Sequence, residues 1–213
     1  MLYGVRLGEY HSYDDLNIIL TKTEISAPEV KTSYVEIQGA DGSLDFTEAF
    51  GRIHYNNRKI NLSFAYIGFM NDFSQKFSEI QNLLHGKKIK IVFDNDPEYY
   101  YNGRCSVDKW SIDKAMGTFN VSIECEPYKY REHETVVQFD INNSRTILLA
   151  NDGMLTSPTF LSDSRMDIEC DKINCTIEAN EETLTEILLY AGVNELKVTG
   201  NGHLKIRYQE GSL

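Results

Sequence analysis

A chain of 213 residues with 41% hydrophobic and 25% charged side chains can bury one sizeable core or two small ones, which excludes a disordered or fibrous class. Its formal charge of −11, from 32 acidic and 21 basic residues, makes a surface that repels nucleic acid, and no basic stripe interrupts it. Cysteines only at 105, 125, 170 and 175, no signal peptide at "MLYGVRLGEY" and no run of roughly 20 apolar residues exclude a disulfide scaffold and a membrane anchor, so a soluble protein with reduced thiols is expected.

In chain order, "SYVEIQ" (33–38) alternates at period two like a strand and runs into "IQGADGSLDFTEAFG" (37–51). The carboxylates Asp41, Asp45 and Glu48 invite a calcium reading, but Gly42 and Leu44 stand where an oxygen ligand is needed and no helix pair flanks the loop. As an acid/base pair Asp41 and Asp45 would need a pocket that separates their pKa values, and nothing in the sequence supplies one. The stretch Gly39, Asp41, Gly42, Ser43, Leu44 and Asp45 reads instead as a structural turn, with glycines providing unusual backbone angles and Asp41 capping the reversal.

"RKINLSFAYI" (58–67) is the next strand, followed by the one confident helix, "NDFSQKFSEIQNLLHGK", about 72–85. Phe73, Phe77, Ile80 and Leu84 fall at helical spacing, Asp72 and Gln75 suggest a capping box, and Gly86 suggests the end. A lone amphipathic helix must lie on a sheet face to hide its stripe. "KIKIVF" (88–93), "GRCSVDKW" (103–110) and "GTFNVSIEC" (117–125) are further strands. In the last, Phe119, Val121, Ile123 and Cys125 share a core face. Between them "DNDPEYYYNG" (94–103) carries Tyr99, Tyr100 and Tyr101, an aromatic group of the kind common at interfaces and sugar sites, although a sheet with rings on both faces explains it equally.

At "EPYKYREHET" (126–135) the pattern turns polar, and the domain boundary is placed there: 1–130, an α+β domain with one helix on an antiparallel sheet, and 131–213, a second domain. The first carries 14 basic and 18 acidic residues, the second 7 and 14. In the second, "VVQFDI", "RTILLAN", "MDIECD", "INCTIEA", "ELKVTG" and "HLKIRYQ" read as short strands separated by the turn signals "NDG", "AGVN" and "GNG", the pattern of an antiparallel β-sandwich. The fold class is mainly β.

No catalytic, cofactor or metal residues are assigned. The histidines at 11, 54, 85, 133 and 203 form no i, i+4 pair and accompany no nucleophile elbow; Cys170 and Cys175 lack a second ligand pair for zinc and read as packing residues; "GK" at 86–87 lacks the glycine a phosphate loop requires.

The opening "YGVRLGEYHSYDDLNIILTKTEISAPEVKTSYVEIQGADGSLDFTEAFGRIHYNNRKINLSFAYIG" resembles the N-terminal region of phage distal tail proteins, most densely from Ile37 to Phe64, and "AGVNELKVTGNGHLKIRYQEGSL" resembles the end of that family's galectin-like sandwich. The resemblance implies a virion structural protein that is no enzyme: a homo-oligomeric, hexameric ring serving as baseplate hub between the tail-tube protein and a tail-associated fibre or lysin, with DNA only in transit through the lumen, made in the host bacterial cytoplasm. The 1–130 domain then forms the ring, with the 39–45 turn and Tyr99, Tyr100 and Tyr101 as candidate interface residues. The alternative is a carbohydrate-binding module recognising cell-wall glycan through the C-terminal sandwich. That half contains no tryptophan, Trp110 being the single one, and has Tyr190 and Tyr208 as its few aromatic candidates.

Overall fold

The computed structural model describes residues 4–49, 51–68, 70–113 and 116–213. The chain divides into two compact units, Met1–Pro127 with Leu213, and Tyr128–Ser212, each with its own apolar core.

The first unit opens with β1 (Val5–Leu7), β2 (Tyr10–His11) and β3 (Ile18–Ile25), continues through β4 (Tyr34–Glu36), β5 (Ser43–Asp45) and β6 (Arg58–Tyr66), then α1 (Phe73–Leu84), β7 (Lys88–Phe93), β8 (Tyr99–Asp113) and β9 (Met116–Cys125). Seven of these strands form one antiparallel sheet in the order β2-β1-β7-β8-β9-β6-β3, while β4 and β5 pair only with each other. Alternation decides which face is inward: Ile60, Leu62 and Phe64 of β6 and Phe119, Val121, Ile123 and Cys125 of β9 are all buried, as the period-two reading of β9 expects. The helix adds Phe73, Phe77, Ile80 and Leu84 to the same core. A register shift between Val107 and Trp110 in β8, where three steps oppose two on β9, turns Trp110 toward the helix. Its ring lies 5.6 Å from Phe73 and 5.5 Å from Phe77.

Three local expectations change. The capping box at Asp72 and Gln75 is absent: a 3-10 turn over Met70–Asp72 holds Asp72 at φ −93, ψ −8 with no side-chain cap bond, and Gln75 reaches Glu79 instead. Helical backbone at Asp72 leaves its carboxylate unable to turn back on the first amides. At the other end the expected stop holds, since His85 is extended and Gly86 takes φ +76, which lets its amide leave the helix and donate to the Cys105 carbonyl at 2.8 Å. The strand expected over 33–38 is shorter, β1, β2 and β3 leave no strand pattern in the sequence, and Ser43–Asp45, expected within the turn, form β5, because their pairing with Tyr34–Glu36 continues the ribbon past the glycines.

The second unit contains β10 (Lys129–Arg131), β11 (Thr135–Asn151), β12 (Thr159–Ser162), β13 (Met166–Cys170), β14 (Ile173–Ile177), β15 (Thr183–Leu184), β16 (Gly192–Tyr208) and β17 (Gly211–Ser212). Here the turn signal "GNG" misleads. Residues 192–208 form one strand paired with the whole of β11 in unbroken antiparallel register, from Thr135 opposite Tyr208 to Asn151 opposite Gly192. The separate strands expected on either side are halves of two long ones. On its other edge β16 pairs with β13 through its first half and with β12 through its second. Odd residues of β11 and even residues of β16 face one core that includes Ile147, Leu149, Leu196 and Val198 from one half and Ile141, Leu204, Ile206 and Tyr208 from the other. The ribbon therefore folds over on itself, and the two halves make the facing layers of the sandwich. It bends where Asn143 (φ +65) opposes Gly200 (φ +151), next to Gly202 (φ +138). At Gly202 a side chain would collide with Asp163, whose carboxylate accepts the His203 amide at 2.9 Å.

Candidate interaction surfaces

The turn singled out in the sequence caps a hairpin arm. At its base Lys31 donates to the His54 carbonyl at 2.8 Å and Asn56 to Glu29 at 2.8 Å. Further out Tyr34, Val35 and Glu36 pair with Asp45, Leu44 and Ser43. Gly39 at φ +85 and Gly42 at φ +75 close the loop, with nothing within 4 Å of where a Cβ would stand at either. Their use is conformational: an L side chain is strained in that region. From 21 to 57 no described residue is buried, and only Pro28, Thr47 and Tyr55 are even half-buried.

Pleating sorts the arm's side chains. Val35 and Leu44 share one face, about half exposed. Tyr34, Glu36, Ser43 and Asp45 share the other. Hydrogen bonds from the Thr47 hydroxyl and amide hold the Asp45 carboxyl below its ordinary range. Between Lys31 and Arg52 the arm carries Glu36, Asp41, Asp45 and Glu48 and no basic residue. Among the described residues no group of three or more His, Cys, Asp or Glu side chains is gathered so as to hold a metal ion.

The three tyrosines separate. Tyr101 is buried against Phe93, with ring centroids 6.0 Å apart, and under the Arg58 guanidinium at 5.4 Å. Tyr99 and Tyr100 are half-buried, and the Lys90 ammonium sits 4.0 Å from the Tyr100 ring. A buried ring serves its own core, so only the first two offer any surface to a partner.

The sequence did not point to a concavity of about 500 Å³ on the polar side of the first unit's sheet. Lys59 comes from β6, His85 from the end of α1, and Arg104 and Ser106 from β8, joined by Ser122 and Glu124 from β9 and by Asn57. The Val107 amide donates to His85 Nδ1 at 3.1 Å, so the ring's Nε2 is the protonated nitrogen. Arg104 donates to the Gly86 carbonyl at 2.6 Å, and Glu124 is engaged by Asn57 at 3.0 Å. Neither Lys59 nor Arg104 has a carboxylate partner among the described residues. These groups lie far apart in sequence and follow no motif spacing, which is why no pattern reveals them.

Elsewhere the reactive side chains serve packing. Burial pushes the thiols of Cys105 and Cys125 up to about 12, so neither supplies a thiolate near neutrality. His11 ties β2 to the end of β7 through Asp94 at 3.3 Å and meets its own loop at Asp14, 3.0 Å away. In the second unit a concavity of about 400 Å³ is lined by polar groups including Gln138, Asp163, Asn180, His203 and Lys205, with no Phe, Tyr or Trp ring among its lining residues.

The family model for the phage tail protein RIFT-related domain matches residues 6–125, which is nearly the whole first unit. No curated protein matches the chain. Among solved structures, the crystal structure of the phage SPP1 Dit protein (gp 19.1), described as a paradigm of the hub adsorption apparatus in Gram-positive infecting phages, superposes with a TM-score of 0.76 at 15% identity, covering 100% of both chains. The likeness establishes that the fold is shared across both units. A de novo designed double-stranded β-helix, solved by NMR, covers 37% of this chain and 99% of its own at 12% identity and a TM-score of 0.26, too low to carry an argument.

Proposed function

As the chain belongs to the family of phage tail proteins built on the RIFT-related domain, we propose that it is a distal tail protein: a homo-oligomeric ring, hexameric, acting as baseplate hub between the tail-tube protein and a tail-associated fibre or lysin. The observation that carries this reading is the arm, residues 27–57 beyond the end of β3, of which none described is buried. An isolated two-stranded ribbon is marginal in water, so an arm that buries nothing in its own chain belongs to an assembly. A closed ring needs two different complementary surfaces on each subunit, and the arm is suited to be one. The 39–45 turn at its tip, with Tyr99 and Tyr100 on the body of the unit, are the contact residues this reading assigns.

The role is structural, with no catalytic step. The protein resides in the distal tail of the virion after synthesis in the host bacterial cytoplasm. DNA is a passenger: phosphate binding depends on neutralisation by Lys and Arg, and a net charge of −11 favours passage through a lumen over adhesion. Light scattering and negative-stain microscopy test this. A ring of roughly six times the 24.4 kDa chain mass, with a central hole, is expected; a strict monomer at high concentration, alone and with neighbouring tail proteins, would overturn it.

The polar concavity around Gln138, His203 and Lys205 supports a second reading, a module that binds cell-wall glycan through the C-terminal sandwich. Hydrogen-bonding groups without an aromatic platform make it the weaker one. Titration against a panel of wall polysaccharides decides it, and no saturable binding across the panel removes it.

A further inference from the structure

We propose that the receiving surface for the arm is the Lys59–His85–Arg104 concavity of the next copy of this chain, so that each subunit inserts the acidic face of its hairpin into its neighbour's pocket. The inference rests on the ring reading and adds the missing half of the contact. A head-to-tail ring demands a donor surface and a different acceptor surface, and the first unit presents one of each with opposite character. The arm carries Glu36, Asp41, Asp45 and Glu48 without a basic residue between Lys31 and Arg52. The pocket brings together the Lys59 ammonium, the Arg104 guanidinium and an imidazole N–H of His85 that has no partner among the described residues. On a chain with 11 more acidic than basic groups, two cations without carboxylate partners in one concavity are an uncommon resource.

The pocket's one carboxylate, Glu124, stands opposite both Lys59 and Arg104 in the ladder and offsets one of the two positive charges, which leaves the concavity cationic by one charge. Asn57 engages Glu124 at 3.0 Å, and the adjoining Lys88 is occupied by Glu126 at 2.6 Å. The hydroxyl of Ser122 sits in the wall, while that of Ser106 is turned to Asp108 at 3.3 Å, so a guest carboxylate finds a neutral donor as well as cations. The space suits the guest. About 500 Å³ accommodates several side chains of a two-residue-wide ribbon but no globular partner. On the arm, Glu36 and Asp45 project from one face and Asp41 from the tip, which gives a row of carboxylates along the inserted edge. The half-exposed Val35 and Leu44 of the opposite face would then be shielded where subunits meet, relieving the arm of its isolation. A second copy is favoured over an unrelated acidic peptide because donor and acceptor occur on every chain in equal number, the condition for closure.

The test uses charge reversal at exposed positions. Lys59→Glu with Arg104→Glu reverses the pocket, and Glu36→Lys with Asp41→Lys reverses the arm. Each reversed chain should need at least about tenfold more protein for half-assembly than wild type, as read by light scattering. The chain carrying all four changes, or a mixture of the two reversed chains, should recover rings, since opposite charges face each other again. Folding of each variant is checked by the fluorescence of Trp110. As an independent measurement, carbodiimide coupling of wild-type rings made from a mixture of ¹⁴N- and ¹⁵N-labelled chains should join Lys59 of one isotope to an arm carboxylate of the other. Rings that tolerate both reversals, or that lose assembly in each without recovery in the combination, overturn this inference alone. Wild-type protein that never assembles overturns the ring reading beneath it.

Discussion

The phenolic hydroxyl of Tyr208 donates to the Ala150 carbonyl at 2.6 Å, although in the ladder Tyr208 lies opposite Thr135, fifteen residues earlier on β11. Fifteen residues of straight strand span about 50 Å. The bond can form only because the β11–β16 ribbon doubles back, so it clasps the two layers of the second unit at their open ends. Tyr208→Phe removes the donor of a half-buried hydrogen bond, a change expected to lower that unit's stability by about 1 kcal/mol. The urea midpoint should fall with the slope unchanged.

The same residue predicts a response to alkali. Burial, then the neighbouring Glu210 and Asp152 carboxylates, raise the Tyr208 phenol above its ordinary value, against a smaller opposing effect of Arg131. A raised folded-state pKa means that the native protein keeps a proton the unfolded chain has lost. Its contribution is intact below about pH 10 and declines as pH rises through the folded value. Urea midpoints measured from pH 9 to 11.5 should fall more steeply for wild type than for Tyr208→Phe. Parallel curves would show that Tyr208 does not titrate late.

Two glycines with positive φ should behave differently. Gly202→Ala places a Cβ against Asp163 at φ +138, where the layers bend and the Asp163 bond to His203 is needed. A loss of about 2 kcal/mol or more from the second unit is expected. Gly42→Ala meets open space at φ +75 and costs about 1 kcal/mol of local strain. Because the arm joins no core, the unfolding midpoint of the first unit should stay in place while assembly weakens. Equal thermal shifts for both variants would refute the distinction.

Trp110 is the single tryptophan and packs on Phe73 and Phe77 of α1, so its emission reports helix docking in the first unit and nothing in the second. Phe77→Ala should cost about 3–4 kcal/mol and red-shift the native emission. Tyr208→Phe should leave the fluorescence-detected transition where it was. A fluorescence midpoint displaced by both would contradict the independence of the two cores.

Thiol labelling provides a fifth check. Cys105 and Cys125 are buried and pushed up to about 12, Cys170 is buried, and Cys175 is half-buried. At pH 8 native protein should label first at Cys175, and at Cys105 and Cys125 only with unfolding. Early modification of Cys125 would mean that the sheet opens more readily than its packing implies.

Period-two alternation in "GTFNVSIEC" and helical spacing from Phe73 to Leu84 sufficed to place the core face of β9 and the stripe of α1, because burial of a strand or helix face writes itself into local order. The same logic stopped at β3, whose residues after Leu20 are exposed: a strand with little to bury leaves little pattern. It misjudged "GNG", since a glycine that bends a continuous ribbon and a glycine that ends a strand look alike until the partner strand is seen. Of the candidate surfaces, the turn from Gly39 to Gly42 was legible through its glycines, whereas the strand Ser43–Asp45 that follows it was not. Its position at the end of an arm that buries nothing was not, and neither was the burial of Tyr101 beside its half-buried neighbours. The pocket of Lys59, His85 and Arg104 lay wholly outside local order. Composition, periodicity and turn chemistry act over a few neighbouring residues, and to that extent the mainly β character, the one helix and the core cysteine of β9 were decided by the chain's own order. Which strands pair, where the long ribbon folds over and which distant cations share a concavity depend on contacts between residues tens of positions apart, and only the packing of the whole unit selects among them.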